Sequence, residues 1–69
     1  MTWIPVSVQP APLVDVLVAY RNLEGSLTVD AGFLRPSGQW HYLGSELLKM
    51  HNVVAWMPFP APPSEEVEG

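Results

Sequence analysis

The chain contains no cysteine and few charged side chains, and each shortage excludes a class of protein. Disulfides are ruled out, and with only His41 and His51 to donate nitrogen a tetrahedral zinc site is not expected. Lys and Arg together number three, which argues against nucleic acid as a partner because that needs a clustered basic face. No apolar run reaches the length of a membrane span, and no signal peptide is visible. We therefore expect a soluble cytoplasmic domain without metal or cofactor.

The chain is also short, and its size limits the core. Its 69 residues make one domain at most. A chain of this length buries only about 60% of the surface that its unfolded form exposes, so aromatic packing or oligomerisation must supply stability. Three Trp, two Tyr and two Phe are available for that core. Glu65, Glu66 and Glu68 carry three of the seven acids, which predicts a nearly neutral domain over 1–63 and a disordered acidic tail over 64–69.

Two segments alternate with the two-residue period of a β-strand. Segment 13–20 is apolar on both faces, which favours a central strand. Segment 26–34 places apolar and polar side chains on opposite faces, which predicts a strand with its apolar face buried and its polar face in water. The apolar set is Leu27, Val29, Ala31 and Phe33, and the polar set is Ser26, Thr28, Asp30 and Gly32.

The connection after this second strand sets the predicted register. Residues 35–38 have proline second and glycine fourth, which is typical of a β-turn. A turn centred on residues 36 and 37 puts Trp40 and Tyr42 on the apolar face of the second strand. The predicted pairs are Leu34–Gln39, Phe33–Trp40 and Ala31–Tyr42.

The remaining segments complete a mainly β fold. Residues 45–50 are predicted to form a short helical turn, capped by Ser45, or a loop. Prolines restrict the first dozen residues to an extended arm and turn the end of the chain into a polyproline II segment. We expect a three- or four-stranded antiparallel meander with Pro-rich ends. Its strands are predicted near 13–20, 26–34, 39–43 and 52–57.

No spacing in the sequence indicates catalysis. His41 and His51 lack a serine, cysteine or carboxylate at the spacing of a nucleophile–base pair, so the simplest interpretation is a solvent-facing or hydrogen-bonded histidine. The P-x-x-P spacing over 60–63 either docks on an aromatic groove or guides the chain off the sheet. Aromatic residues near the two ends either form core or bind a partner. The candidate partner-binding residues are Trp3, Trp56, Met57, Phe59 and Pro60.

Taken together, the two ends resemble a family of domains of unknown function found in phages and prophages. The matching segments are Trp3-Ile4-Pro5-Val6, Val16-Leu17-Val18, Trp40 and the run from Trp56 to Pro63. Members of that family open with Trp-Ile-x-Val and close with His-Trp-Met-Pro-Leu-Pro-x-Pro-Pro. The chain departs from this pattern, because Ala55 stands in place of the family's histidine and Phe59 in place of its leucine. The resemblance implies a phage or prophage source, a small β-rich fold and no catalytic residues.

The functional expectation is therefore binding rather than catalysis. We expect a phage accessory protein that binds a host or phage protein and modulates it by steric occlusion, with counter-defence inhibition as one setting. The alternative is an oligomer that sequesters a nucleotide or another small ligand between subunits. That alternative requires the cations Arg21, Arg35 or Lys49 to converge on a pocket across an interface. The sequence also predicts that the Trp- and Pro-rich ends lie next to each other and cover one face of the sheet.

Overall fold

A computed structural model describes residues 2–45 and 47–60. These residues form one open antiparallel sheet of five strands and no helix. The strands are β1 (Ile4–Pro5), β2 (Val16–Arg21), β3 (Leu27–Leu34), β4 (Trp40–Tyr42) and β5 (Val53–Pro58). Their spatial order is β1-β5-β2-β3-β4. The predicted mainly β, antiparallel class is confirmed. Only β2 to β4 form a meander, and β1 is a fifth strand that was not predicted.

The turn between β3 and β4 has one more residue than the predicted turn. The amide of Arg35 donates to the carbonyl of Gln39 at 2.9 Å, and the amide of Gly38 donates to the carbonyl of Arg35 at 2.8 Å. Gly38 has a φ of 93°. This is a type I turn followed by a left-handed residue, which makes a three-residue hairpin loop.

The extra residue shifts the register of β4. The observed pairs are Leu34–Trp40, Phe33–His41 and Gly32–Tyr42. The predicted pairs Leu34–Gln39, Phe33–Trp40 and Ala31–Tyr42 are therefore wrong by one residue. Since a slip of one residue moves every side chain to the other face, Phe33 and Trp40 lie on opposite faces of the sheet.

One face of the sheet, which we call the core face, carries the hydrophobic core. The buried residues that form it are Val16, Val18, Leu34, Trp40, Met50 and Trp56. The N-terminal arm lies over this face, because Val6 packs against the cluster and the Trp56 indole Nε1 donates to the Val8 carbonyl at 2.6 Å. Met50 reaches the core from a segment beside β4, where its amide donates to the Trp40 carbonyl at 2.9 Å.

The two ends of the chain meet in the plane of the sheet. Ile4 pairs with Trp56 and Pro5 with Ala55, so the predicted adjacency of the ends is confirmed. They meet as neighbouring strands, and the arm after β1 also lies over the core face, so the expected covering of one face is met by the N-terminal end. The arm rejoins the sheet at Leu13, which has a φ of 65° and donates its amide to the Leu34 carbonyl. This left-handed residue delays β2, which begins at residue 16 rather than at 13 as predicted.

Between β4 and β5 the chain forms a loop with an extended end. Lys49 bridges His41 in antiparallel fashion, so the described part of 45–50 is the loop alternative of the prediction. The Ser45 Oγ accepts the Leu48 amide at 3.3 Å, which is a contact within this loop and not the predicted helix cap. The predicted acidic tail, the P-x-x-P segment beyond Pro60 and the domain boundary at 63 lie outside the described residues.

Candidate binding surfaces

The second face of the sheet, which we call the open face, is apolar at its centre and carries the cations Arg21 and Lys49 at its margin. Register and alternation assign its members. They are Pro5, Leu17, Ala19, Arg21, Leu27, Val29, Ala31, Phe33, His41, Lys49, Ala55 and Met57. The core cluster of the described residues lies wholly on the other side of the sheet. Leu27 and Val29 are 56% and 49% exposed, so apolar side chains on this face remain in contact with water.

β3 shows this arrangement most clearly, because its two faces are the reverse of the sequence prediction. Thr28, Asp30 and Gly32 pair with Tyr20, Val18 and Val16, so the polar set of β3 lies on the core face. The apolar set lies on the open face. The prediction that the apolar face is buried is therefore wrong for Leu27 and Val29, which are exposed, whereas the prediction of a wet polar side holds for Ser26 and Asp30 and fails for the buried Gly32.

Two contacts explain why the polar set is tolerated on the core face. The Tyr20 hydroxyl donates to Asp30 Oδ2 at 2.7 Å, which satisfies the carboxylate. Gly32 has no side chain, and its position lies directly beneath the Met50 thioether. The core therefore requires a glycine at residue 32, while Asp30 lies exposed at the margin of the core face with its carboxylate hydrogen-bonded to Tyr20.

His41 is a polar member of the open face, and it is buried. Its ring stacks on Phe33, with ring centroids 5.8 Å apart and an angle of 21° between the planes. Its Nδ1 has no hydrogen-bond partner, although the side chain is only 5% exposed. The interpretation of His41 as solvent-facing is therefore wrong, and its Nδ1 accepts or donates no hydrogen bond among the described residues. Its neighbours on the sheet are Phe33 across the strand and Lys49 on the bridge.

The five residues that the sequence nominated for partner binding do not form one surface. Trp56 and Met57 are buried, at 8% and 6% exposure, because β5 lies between β1 and β2 in the middle of the sheet. Trp56 belongs to the core face, and Met57 to the open face. Trp3, Phe59 and Pro60 are exposed at the two ends. Partner binding by this set stays a prediction, and the structure leaves Trp56 little surface for it.

A pocket of about 220 Å³ lies beside the end of β2 and the start of the β2–β3 turn. Three segments distant in sequence line it, and they are Tyr20 to Leu23, Tyr42, and Lys49 with His51 and Asn52. Tyr20 and Tyr42 meet edge to face, with ring centroids 5.8 Å apart. Sequence reasoning named Arg21, Arg35 and Lys49 for a site across a subunit interface. Arg21 and Lys49 border this pocket, but their pairings with Leu27 and His41 place both side chains on the open face, and Arg35 lies in the β3–β4 turn.

The Tyr20 phenol stays neutral over a wide pH range. The neighbouring Tyr42 side chain, and then the Asp30 carboxylate that accepts its hydroxyl, raise the pKa of Tyr20 above its ordinary value. Tyr20 therefore acts as a hydrogen-bond donor that links the pocket to β3.

Known proteins provide no further guide to these surfaces. No family model, curated protein or solved structure matches the chain. The similarity to the phage family of unknown function therefore stays a prediction. Over residues 2–45 and 47–60 there is no group of three His, Cys, Asp or Glu that could hold a metal ion. The same residues contain no helix long and apolar enough to cross a bilayer.

Proposed function

We propose that this chain is a non-catalytic protein-binding module whose open face receives an apolar surface of another protein. The observation that carries the proposal is the reversed β3 strand. An antiparallel strand that faces water on one side ordinarily turns its polar side chains outward. Here Leu27, Val29 and Phe33 take the outward positions. A continuous apolar face of this kind is typical of a surface that is covered in a complex.

The open face also defines the chemistry of its partner. The five strands lie about 4.8 Å apart, and the paired length of β2 and β3 is six residues at about 3.4 Å each, which gives roughly 450 Å². A complex would bury about twice that area, at the lower end of specific interfaces. The central members Leu17, Ala19 and Ala31 are small or aliphatic and carry no charge. The part of the partner that meets these central residues is therefore apolar and uncharged, whereas Arg21 and Lys49 place positive charge at the margin of the open face.

The biological setting of this module is part of the same proposal. The resemblance to a phage and prophage family supports a phage accessory protein in the cytoplasm of an infected or lysogenic bacterium. Its target would be a host or phage protein, which it modulates by covering an apolar surface, as a counter-defence inhibitor does. The exposed Trp3 and Phe59 lie at the ends of the chain and would extend the contact at its rim.

The test compares a substitution on the open face with the same substitution outside it. Val29→Lys places a charge at the centre of the exposed part of the face, and Leu23→Lys places it at the tip of the β2–β3 turn, where the side chain is fully exposed. Proteins captured from host lysate at bait concentrations of about 10–100 µM are identified, purified and titrated by calorimetry against the wild type and both variants. We expect Val29→Lys to weaken binding at least about tenfold, since a buried unpaired charge is costly, and Leu23→Lys to leave it unchanged.

Three outcomes would overturn the proposal. The first is a purified partner that binds the wild type and Val29→Lys equally well. The second is self-association of the wild type, measured by light scattering, that Val29→Lys abolishes, which would assign the open face to a second copy. The third is a capture experiment at these concentrations in which every protein retained by Leu23→Lys is also retained by Val29→Lys.

A further inference from the structure

Positive charge lies at the margin of the open face, and no strand of the described residues places a carboxylate on that face. Arg21 and Lys49 are two of the three Lys and Arg residues of the chain, and both belong to the open face. The strands contain a single acid, Asp30, and its place in the pairing with β2 puts it on the core face. Asp15 and Glu24 lie outside the strands. The open face is therefore suited to an occupant that is both apolar and acidic.

One segment of the chain has this chemistry. Glu65, Glu66 and Glu68 surround Val67, and they carry three of the seven acids of the sequence within four residues. The segment that contains them, 61–69, follows β5 directly after Pro60. It combines an apolar side chain with negative charge, whereas the open face combines apolar side chains with positive charge. The two are therefore complementary, and they belong to the same chain.

Apolar surface on the open face is available at the end that carries Arg21. Leu27, which pairs with Arg21, is exposed, and so is Val29. Towards the opposite end Met57 and His41 are buried, although both lie on this face. An occupant of the face therefore removes most apolar surface from water by covering Leu27 and Val29. Its carboxylates then lie beside the Arg21 guanidinium, whose contact with the Gly25 carbonyl leaves other N–H groups to donate.

We propose that segment 61–69 lies over the open face of its own chain, with Val67 on Val29 and Glu68 beside Arg21. The segment then covers the surface to which the proposed function assigns the partner, so its regulatory role rests on that function. A partner must displace the segment before it can contact the apolar centre of the face. The segment is therefore an intramolecular competitor for the partner.

The length of the segment fits this placement. β5 ends at Pro58 beside Val16, and Arg21 is the last residue of β2. At about 3.4 Å per residue, the distance from Pro60 along the sheet to Arg21 is roughly 24 Å. A proline-rich extended chain advances about 3.1 Å per residue, so Glu68 lies within roughly 25 Å of Pro60. Glu68 can therefore reach Arg21 without any change in the sheet.

The contact is weak, but the covalent tether makes it effective. Exposed ion pairs and a single valine give little affinity by themselves. A segment joined to its site by a short linker has an effective concentration on the order of millimolar, so bound and released states are both populated. If about half of the molecules hold the segment on the face, the apparent dissociation constant of a partner rises roughly twofold.

The lack of cysteine makes a direct experiment possible, because one introduced cysteine carries one label. Gly69→Cys is modified with a nitroxide in the ¹⁵N-labelled full chain, and broadening of the amide NMR signals shows which residues lie near the label. We expect the strongest broadening at residues 19–21 and 27–29. A segment that stays off the face would instead broaden residues 35–38, which lie at the end of the sheet where β5 finishes.

Full-length variants identify the contacts and provide the control. Replacing the three Glu residues of segment 61–69 together by Gln should at least halve the broadening at residues 27–29, and Arg21→Gln should do the same. Arg35→Gln removes the same charge in the β3–β4 turn and should leave the broadening unchanged. Because Arg21 also supports the β2–β3 turn, circular dichroism checks the fold of its variant, and Arg21→Lys, which keeps the charge, should retain the broadening.

The proposal is overturned if residues 35–38 are broadened more than 27–29, or if the three Glu-to-Gln changes leave the pattern as it is. It is equally overturned if Arg35→Gln acts as strongly as Arg21→Gln, since that would indicate unspecific attraction. Spin-labelled chain without ¹⁵N is also mixed with unlabelled ¹⁵N chain, and broadening in that mixture would assign the contact to a second copy. None of these measurements uses a partner, so their failure is distinct from failure of the Val29→Lys titration.

Discussion

Replacing Gly32 by alanine tests how tightly the core face is built. A Cβ added at this position would lie 2.6 Å from the backbone oxygen of His41, 2.9 Å from Cε of Met50 and 3.2 Å from its Sδ. The Met50 side chain can move, but the His41 carbonyl belongs to the neighbouring strand. The added methyl group therefore forces β3 and β4 apart or tilts one of them.

The magnitude follows from two opposing effects. Overpacking a well-packed core costs about 1–3 kcal/mol. Replacing glycine by alanine lowers the entropy of the unfolded chain and returns about 0.4–1 kcal/mol. We expect a net loss of about 1–2 kcal/mol in the free energy of unfolding of Gly32→Ala, which corresponds to a fall in Tm of roughly 5–15 °C for a domain of this size.

Urea and thermal unfolding followed by circular dichroism measure this loss. A double-mutant cycle with Met50→Leu, which removes the thioether at modest cost, shows how much of the clash comes from Met50. We expect Gly32→Ala to be less costly in the Met50→Leu background, with the remainder due to the His41 carbonyl. If Gly32→Ala is as stable as the wild type, the close packing of Met50 over β3 is refuted.

Three further predictions address the arm, the turn and the pocket. Trp56→Phe keeps an aromatic ring but leaves the Val8 carbonyl without its donor, so unfolding in urea should show a loss of about 2 kcal/mol, and a loss below about 0.5 kcal/mol would mean that the arm is not held there. Asn22→Ala removes the acceptor of two turn amides and should lower stability by about 1–2 kcal/mol, whereas an unchanged Tm would show that the turn forms without it. Because contacts raise the pKa of Tyr20, the unfolded chain ionises this phenol first, so its contribution to stability is complete below about pH 10 and is lost as pH rises further. Tyr20→Phe should flatten that alkaline decline in a series of unfolding curves, and an equal decline in both proteins would contradict the role of Asp30 and its neighbours.

Alternation along the sequence was enough to predict four of the five strands. Val16, Val18 and Tyr20 do share a face, and β3 does alternate as predicted. β1 was predicted only as an extended arm, because two residues that include Pro5 give too short a pattern to distinguish from coil. Its pairing depends on Trp56 and Ala55, about fifty residues away.

The register error has a physical cause that the sequence partly signals. Gly38 was interpreted as the last residue of a simple turn, but it takes the left-handed position of a three-residue loop. Gly25 does the same in the β2–β3 turn, with a φ of 84° and a hydrogen bond from its amide to the Asn22 carbonyl. Both loops are three residues long and have glycine as the third residue, so these glycines could have indicated three-residue loops.

The reversal of β3 could not be predicted from local pattern. It depends on Asp30 meeting Tyr20 and on Met50 occupying the space above Gly32, and both are contacts between different segments. The pocket could not be predicted for the same reason, because the residues that line it, such as Arg21 and Lys49, are separated in sequence by β3 and β4. Composition did indicate that few cations were available, and so it limited which residues could form an anion site.

The central position of β5 also has a consequence for synthesis on the ribosome. β2 to β4 emerge and pair first, but β5 must be inserted between β1 and β2 before Trp56 can fill the core. Until residue 58 leaves the exit tunnel, Val16 and Val18 stay exposed on one side of the nascent hairpin while Leu17 and Val29 are exposed on the other. A chain truncated before β5 would therefore expose apolar side chains on both faces, and we expect such fragments to be removed by proteases or to aggregate.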